Sequence, residues 1–166
     1  IQLHAGLRQT LHLKGLKYVR TIRKAPEAIY NGEEDFSKGF VELKSGEDLV
    51  IIATGIMVAS CLRIANELSK QGLDIGVVDL FRVKPLPEEL LALYRGLPIL
   101  SVENHNQIGV IGSALCELFS TDLNTPVFRM GIQERFGQVG KVDFLLQDYG
   151  LDEASIKDKI LSILHY

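Results

Sequence analysis

Apolar and polar positions fall in blocks along this chain, and the blocks change period. Over residues 49–53 (LVIIA), 75–81 (IGVVDLF) and 99–102 (ILSV) the apolar run is nearly unbroken, as in strands buried on both faces. Residues 39–43 (GFVEL) alternate apolar and polar, the pattern of a half-buried edge strand. Residues 125–130 (TPVFRM) give a last short strand, where Pro126 fits only a strand start or an edge. Between these blocks the period lengthens to that of a helix. Val58, Cys61, Leu62, Ala65 and Leu68 form one stripe, closed by Gly72. Leu90, Leu91 and Tyr94 form another, after a Pro87 suited to a first helical turn. Ile111, Leu115 and Leu118 form a third, then a short helix spans 142–149 and stops at Gly150. A final helix, with Asp152 as its cap, turns Ile156, Ile160, Ile163 and Leu164 inward.

Strands alternating with helices predict a mostly parallel sheet covered on both sides. The expected fold is a three-layer α/β/α domain over residues 39–166, with five strands and one antiparallel edge strand at Phe40. Upstream, residues 1–13 predict a helix with Leu3, Leu7 and Leu11 on one face, stopped by Gly15. Residues 17–22 (KYVRTI) predict a strand. This pair is too small to bury itself, so residues 1–24 read as the remnant of a preceding domain. Residues 25–38, broken by Pro26, Asn31-Gly32 and Glu33-Glu34-Asp35, read as the linker.

Composition narrows the classes. The 166 residues are 46% hydrophobic and 23% charged with a net charge of -3, so the chain offers no basic face for nucleic acid. No apolar run reaches the roughly 20 residues of a membrane span. Cys61 and Cys116 lie isolated in helical stripes and read as small buried hydrophobes of a reducing, cytoplasmic compartment. The four histidines are scattered without metal-ligand spacing.

The chemistry gathers where strands end. After the 99–102 strand come five polar residues, Glu103 to Gln107, then Gly109 and Gly112 before a helix. Such a loop lies outside the carboxyl edge of a parallel sheet, where α/β proteins keep their ligands. Glu103 and His105, two apart on extended chain, point the same way. They form either an acid–base pair or a hydrogen-bonded pair at an interface. Thr54-Gly55, Arg82, Arg129, Glu134 and Arg135 stand at other strand ends, and for Arg82 a salt bridge is expected before an anion site. Arg20 and Arg23 sit three apart at the end of the 17–22 strand, where a planar guanidinium can grip a phosphate through two oxygens. No dinucleotide fingerprint, P-loop or nucleophile elbow is present.

Five segments together resemble the transketolase group of thiamine-diphosphate enzymes. They are VRTIRKAPEAIYNGEEDF (19–36), GEDLVIIATGIMV (46–58), VVDLFRVKPLPEELL (77–91), SVENHNQIGVIGSAL (101–115) and MGIQERFGQVG (130–140), in the family's order and spacing. The resemblance implies the C-terminal domain of a transketolase, a cytoplasmic enzyme of the pentose phosphate pathway. Such an enzyme transfers a two-carbon ketol unit between sugar phosphates and works as a homodimer. By this resemblance Arg23 grips the substrate phosphate and is the one substrate-binding residue here. Thiamine diphosphate and Mg²⁺ serve the parent enzyme, but the Gly-Asp-Gly diphosphate motif and the activating Glu are absent from this chain, so alone it is expected to hold neither and to be inactive. The expected partners are the missing N-terminal domains or a partner subunit, with the polar loop facing a domain or subunit interface. The alternatives are the C-terminal part of 1-deoxyxylulose-5-phosphate synthase, a two-subunit transketolase, or a non-catalytic regulatory or interaction domain. The linker AIYNGEEDF favours transketolase over the synthase.

Overall fold

The computed structural model describes residues 2–22 and 27–165. Helix α1 (Gln2–Thr10) comes first, then an irregular passage, then strands β1 (Phe40–Lys44) and β2 (Leu49–Ala53). Helix α2 (Met57–Ser69), β3 (Ile75–Leu80), α3 (Glu89–Tyr94), β4 (Ile99–Asn106), α4 (Ile111–Leu118) and β5 (Val127–Ile132) alternate. Helices α5 (Val142–Asp148) and α6 (Glu153–Leu164) close the chain.

The five strands make one sheet in the order β1-β3-β2-β4-β5. β2 runs parallel to both β3 and β4, β5 runs parallel to β4, and β1 pairs antiparallel with β3. The expected three-layer fold with one antiparallel edge strand is the fold observed. Alternation sorts the side chains into two cores. Leu49, Ile51, Ala53, Ile75, Val77, Leu100 and Val102 pack with α2 and α6, while Val50, Ile52, Val78, Leu80 and Ile99 pack with α3 and α4. The run of β-branched residues in β2 and β3 is what lets both faces be buried. On α6, Ile156 and Ile160 are fully buried, each contributing about 1.5–3 kcal/mol of transfer free energy. Arg63 of α2 holds Glu153 of α6 at 2.6 Å, and Lys157 of α6 pairs with Glu67 of α2.

Three expectations shift. Residues 17–22 form no strand: a strand needs a neighbour to pair with, and here Tyr18 and its neighbours are exposed. The polar residues Glu103 to Asn106 belong to β4 rather than to a loop, because β5 continues alongside and pairs Ile132 with Asn106. Asp152 stands at the head of α6, but its carboxylate accepts from the Ser155 hydroxyl and caps no backbone N–H.

One turn carries a backbone constraint. Gly39, at φ +85°, offers its carbonyl to the N–H groups of Phe81 and Arg82 at 3.2 and 2.9 Å. A Cβ there would meet Arg82 at 2.6 Å, so glycine is what lets the chain enter β1 beside the end of β3.

Candidate functional site

The strand order reverses between β2 and β4, the place where open parallel sheets form a crevice at their carboxyl ends. Here the crevice is filled by the chain itself. Glu103, fully buried on β4, accepts the N–H of Gly112 at 3.0 Å and that of Ile111 at 3.3 Å. Its carboxylate thus occupies the N-terminal end of α4, which would otherwise attract a phosphate. Burial raises its pKa, against the pull of those two N–H groups and the charge of Arg129.

A second close approach lies beside it. Gly112 packs so near Ser101 that a Cβ would stand 2.7 Å from the serine hydroxyl. Arg129 of β5 crosses the same place, reaching the Gln107 carbonyl at 3.3 Å and the Ser113 hydroxyl at 3.4 Å. The guanidinium therefore holds the turn that leads into α4.

His105 is not paired with Glu103. Its Nε2 accepts from the Arg20 guanidinium at 2.5 Å, so the proton of the neutral ring sits on Nδ1, which is buried without a partner. Burial, then the Arg20 charge, lowers the imidazole pKa. No acid–base pair is formed, and the hydrogen-bonded reading is met by a different residue, one that fastens the N-terminal passage to the end of β4.

Arg82 makes no ion pair among the described residues, and its Nε is buried unpartnered below Gly39. Arg135 pairs with Asp148 and lies 4.4 Å over the Tyr149 ring, a brace for the 133–140 loop. Glu134 is exposed. Cys61 is fully buried, its thiol pushed up to about 12, while Cys116 is only half-buried. Arg23 lies outside the described residues.

The sequence reading missed Asp79. This acid stands in the run IGVVDLF on β3, and it is buried. Its Oδ2 accepts from Gln2 Nε2 at 2.6 Å and from the Tyr30 hydroxyl, and Oδ1 has no partner. Burial pushes its pKa up to about 6, against those two hydrogen bonds. The clue available beforehand was an acid inside an otherwise apolar strand. Arg63 is likewise shared, between Glu153 and Glu27 of the linker.

These groups do not suit a diphosphate and its metal. The α4 N-terminus is held by a carboxylate, and no three His, Cys, Asp or Glu side chains converge among the described residues. What the edge does instead is bind the chain's own N-terminal passage and linker.

Comparison with known proteins gives a consistent picture. The family "Transketolase, C-terminal domain" matches residues 39–156. A "Putative transketolase C-terminal section" of Methanocaldococcus jannaschii is 38% identical over 160 residues, 93% of this chain and 50% of that protein. The "6-deoxy-6-sulfo-D-fructose transketolase subunit SqwH" of a Clostridium species is 35% identical, covering 93% of this chain and 49% of that one. The solved "Split gene transketolase, inactive beta4 tetramer" superposes with a TM-score of 0.89 at 30% identity, over 97% of this chain and 54% of that one. The chain therefore spans about half the length of these three relatives. By fold, by motif order and by this match, it belongs to the transketolase C-terminal domain family.

Proposed function

We propose that the complete enzyme containing this chain is a thiamine-diphosphate-dependent transketolase, which moves a two-carbon ketol unit between sugar phosphates. In this reading the chain supplies the C-terminal domain and, ahead of it, Arg23 as the ligand of the substrate phosphate. The observation that carries the reading is that likeness to transketolase sections runs well upstream of residue 39, through the junction where Arg23 stands.

The remaining assignments follow from the same reading. Thiamine diphosphate and Mg²⁺ are held by parts of the enzyme outside this chain. Those parts are a preceding region of the same polypeptide or a separate subunit, as the split-gene relative and the subunit relative suggest. The complete enzyme is a cytoplasmic homodimer, or the two-subunit equivalent, of the pentose phosphate pathway. The C-terminal domain contributes assembly and junction geometry, and no group of its own reacts.

The test is reconstitution. The chain is assayed for ketol transfer with thiamine diphosphate and Mg²⁺, alone and after assembly with its complementary half. Activity is expected only after assembly. Turnover by the chain alone, or an assembled enzyme without ketol transfer, overturns the reading, and formation of deoxyxylulose phosphate instead identifies the synthase.

A further inference from the structure

Beside the turn into α4, where β4 and β5 end, the surface opens into a cavity of about 390 Å³. Gln107, Ile108, Arg129, Gln133 and Glu134 line it. Its volume lies at the lower end of ordinary ligand pockets, about 300–1,000 Å³. Such pockets are mostly apolar, but here Ile108 is the one apolar side chain of the lining. A space of this kind suits a small polar molecule.

The backbone around the cavity is fixed on every side. β5 stays paired with β4 as far as Ile132 opposite Asn106, and the Gln107 N–H donates to the Ile132 carbonyl at 2.9 Å. Gln107 and Gln133 are thereby set at the same level of the sheet. The Asn106 side-chain oxygen accepts the Ile108 N–H at 2.8 Å, and the Ser113 hydroxyl accepts the Gly109 N–H at 2.8 Å. Two glycines let the parts close in. A Cβ on Gly112 would stand 3.0 Å from the Arg129 stem, and one on Gly131 would stand 3.1 Å from the Gln107 Cα. Groups held in place before a ligand arrives lose little freedom when it binds.

Arg129, half-buried, has more donors than the protein uses. Its Nη1 reaches the Gln107 carbonyl at 3.3 Å and the Ser113 hydroxyl at 3.4 Å, both long and both to neutral oxygens. Its Nε and Nη2 have no acceptor among the described residues, and no carboxylate there makes an ion pair with it. Nε and Nη2 share one edge of the guanidinium, the arrangement that grips an oxyanion through two oxygens. The side-chain amides of Gln107 and Gln133 are neutral donors, whereas the Glu134 carboxylate only accepts. A ligand that meets all four brings a hydroxyl as well as a negative charge. We propose that this cavity binds a short hydroxylated oxyanion, a phosphate ester or a hydroxy acid: its charge on Arg129 between the two glutamine amides, its hydroxyl on Glu134.

The test is a titration of the full 166-residue chain, isotope-labelled for NMR, with glycerol phosphate, glycerate and sulfate at constant ionic strength. At about pH 8 the ester is a dianion like sulfate, which carries no hydroxyl. Glycerol phosphate or glycerate is expected to shift the side-chain amides of Gln107 and Gln133 and the Arg129 Nε–H saturably, and the tighter of the two tells a phosphate ester from a hydroxy acid. Arg129→Gln should weaken that binding by about 10- to 100-fold, the worth of a charged contact. Gln133→Ala, at an exposed position, should weaken it by about 2- to 10-fold. Glu134→Ala should abolish the preference over sulfate. The proposal is overturned if neither hydroxylated anion gives saturable shifts at the two glutamines, or if Arg129→Gln binds as tightly as the native chain. Should Arg129→Gln fail to fold, unchanged affinity in Gln133→Ala overturns it equally. Sulfate binding as tightly as both hydroxylated anions would mean an adventitious ion only, and the proposal falls.

Discussion

Glu103 and Gly112 are joined by a hydrogen bond of 3.0 Å, nine residues apart, from the backbone N–H at the head of α4 to a buried carboxylate on β4. Strand and helix are thereby locked across the turn that separates them. Glu103→Ala leaves two backbone donors buried and unsatisfied and opens a void, so it should destabilise the chain by about 2–4 kcal/mol. Glu103→Gln keeps one acceptor oxygen and should cost less. Urea unfolding of the two variants checks both values. A loss below about 1 kcal/mol for the alanine variant, close to the spread expected of a surface substitution, would mean that the cap is not holding the turn.

Asp79 predicts a pH dependence with a definite sign. Its folded pKa of about 6 lies above the ordinary 3.8, so the folded chain binds this proton more tightly than the unfolded chain. The stability it confers is full below the unfolded value and is lost as pH rises toward 6. The loss is about 3 kcal/mol, at roughly 1.4 kcal/mol for each tenfold difference in proton affinity between the folded and unfolded chain. Asp79→Asn removes this dependence. The difference in unfolding free energy between wild type and Asp79→Asn, measured from about pH 4 to 8, should fall across that window and then level. A difference that rises with pH contradicts the burial argument.

Gly112→Ala tests the close approach of α4 to the sheet. The added methyl would stand 2.7 Å from the Ser101 hydroxyl and 3.0 Å from Arg129. Overpacking of this kind costs about 1–3 kcal/mol. Ser101→Ala takes away the nearest atom, whose own bond to the Phe128 carbonyl is a long 3.4 Å. The double variant should therefore recover part of the loss, and strict additivity in a double-mutant cycle would place the clash elsewhere.

Arg23→Ala, in the complete enzyme, should raise KM for phosphorylated sugars by about 10- to 100-fold, the loss of a two-pronged charged contact. Affinity for thiamine diphosphate should hardly change. Equal losses on sugars with and without the phosphate would remove Arg23 from the substrate site.

The central strands were legible because their periodicity is set by burial on both faces. LVIIA is a short run rich in β-branched residues, which favours a strand over a buried helix, and β2 is observed at those residues. The end of β4 was not legible, since Glu103 to Asn106 are polar by composition and become strand only through β5 alongside. The same polarity concealed the role of Glu103: a carboxylate that serves a helix nine residues on looks, in sequence, like one that serves a substrate. The pairing of His105 with Arg20 spans 85 residues, and no local pattern announces it. Residues 17–22 carry strand propensity, but propensity without a pairing neighbour leaves them irregular.

The bond between Gln2 and Asp79 has a consequence for how the chain is made. The helix that bears Gln2 leaves the ribosome 77 residues ahead of the carboxylate that receives it. At about 5–20 residues per second that is a wait of roughly 4 to 15 s. Throughout it the Gln2 amide is without the carboxylate that receives it. The nascent chain therefore has a period in which α1 is not yet tied to Asp79, and the period ends only when β3 has emerged and paired with β2.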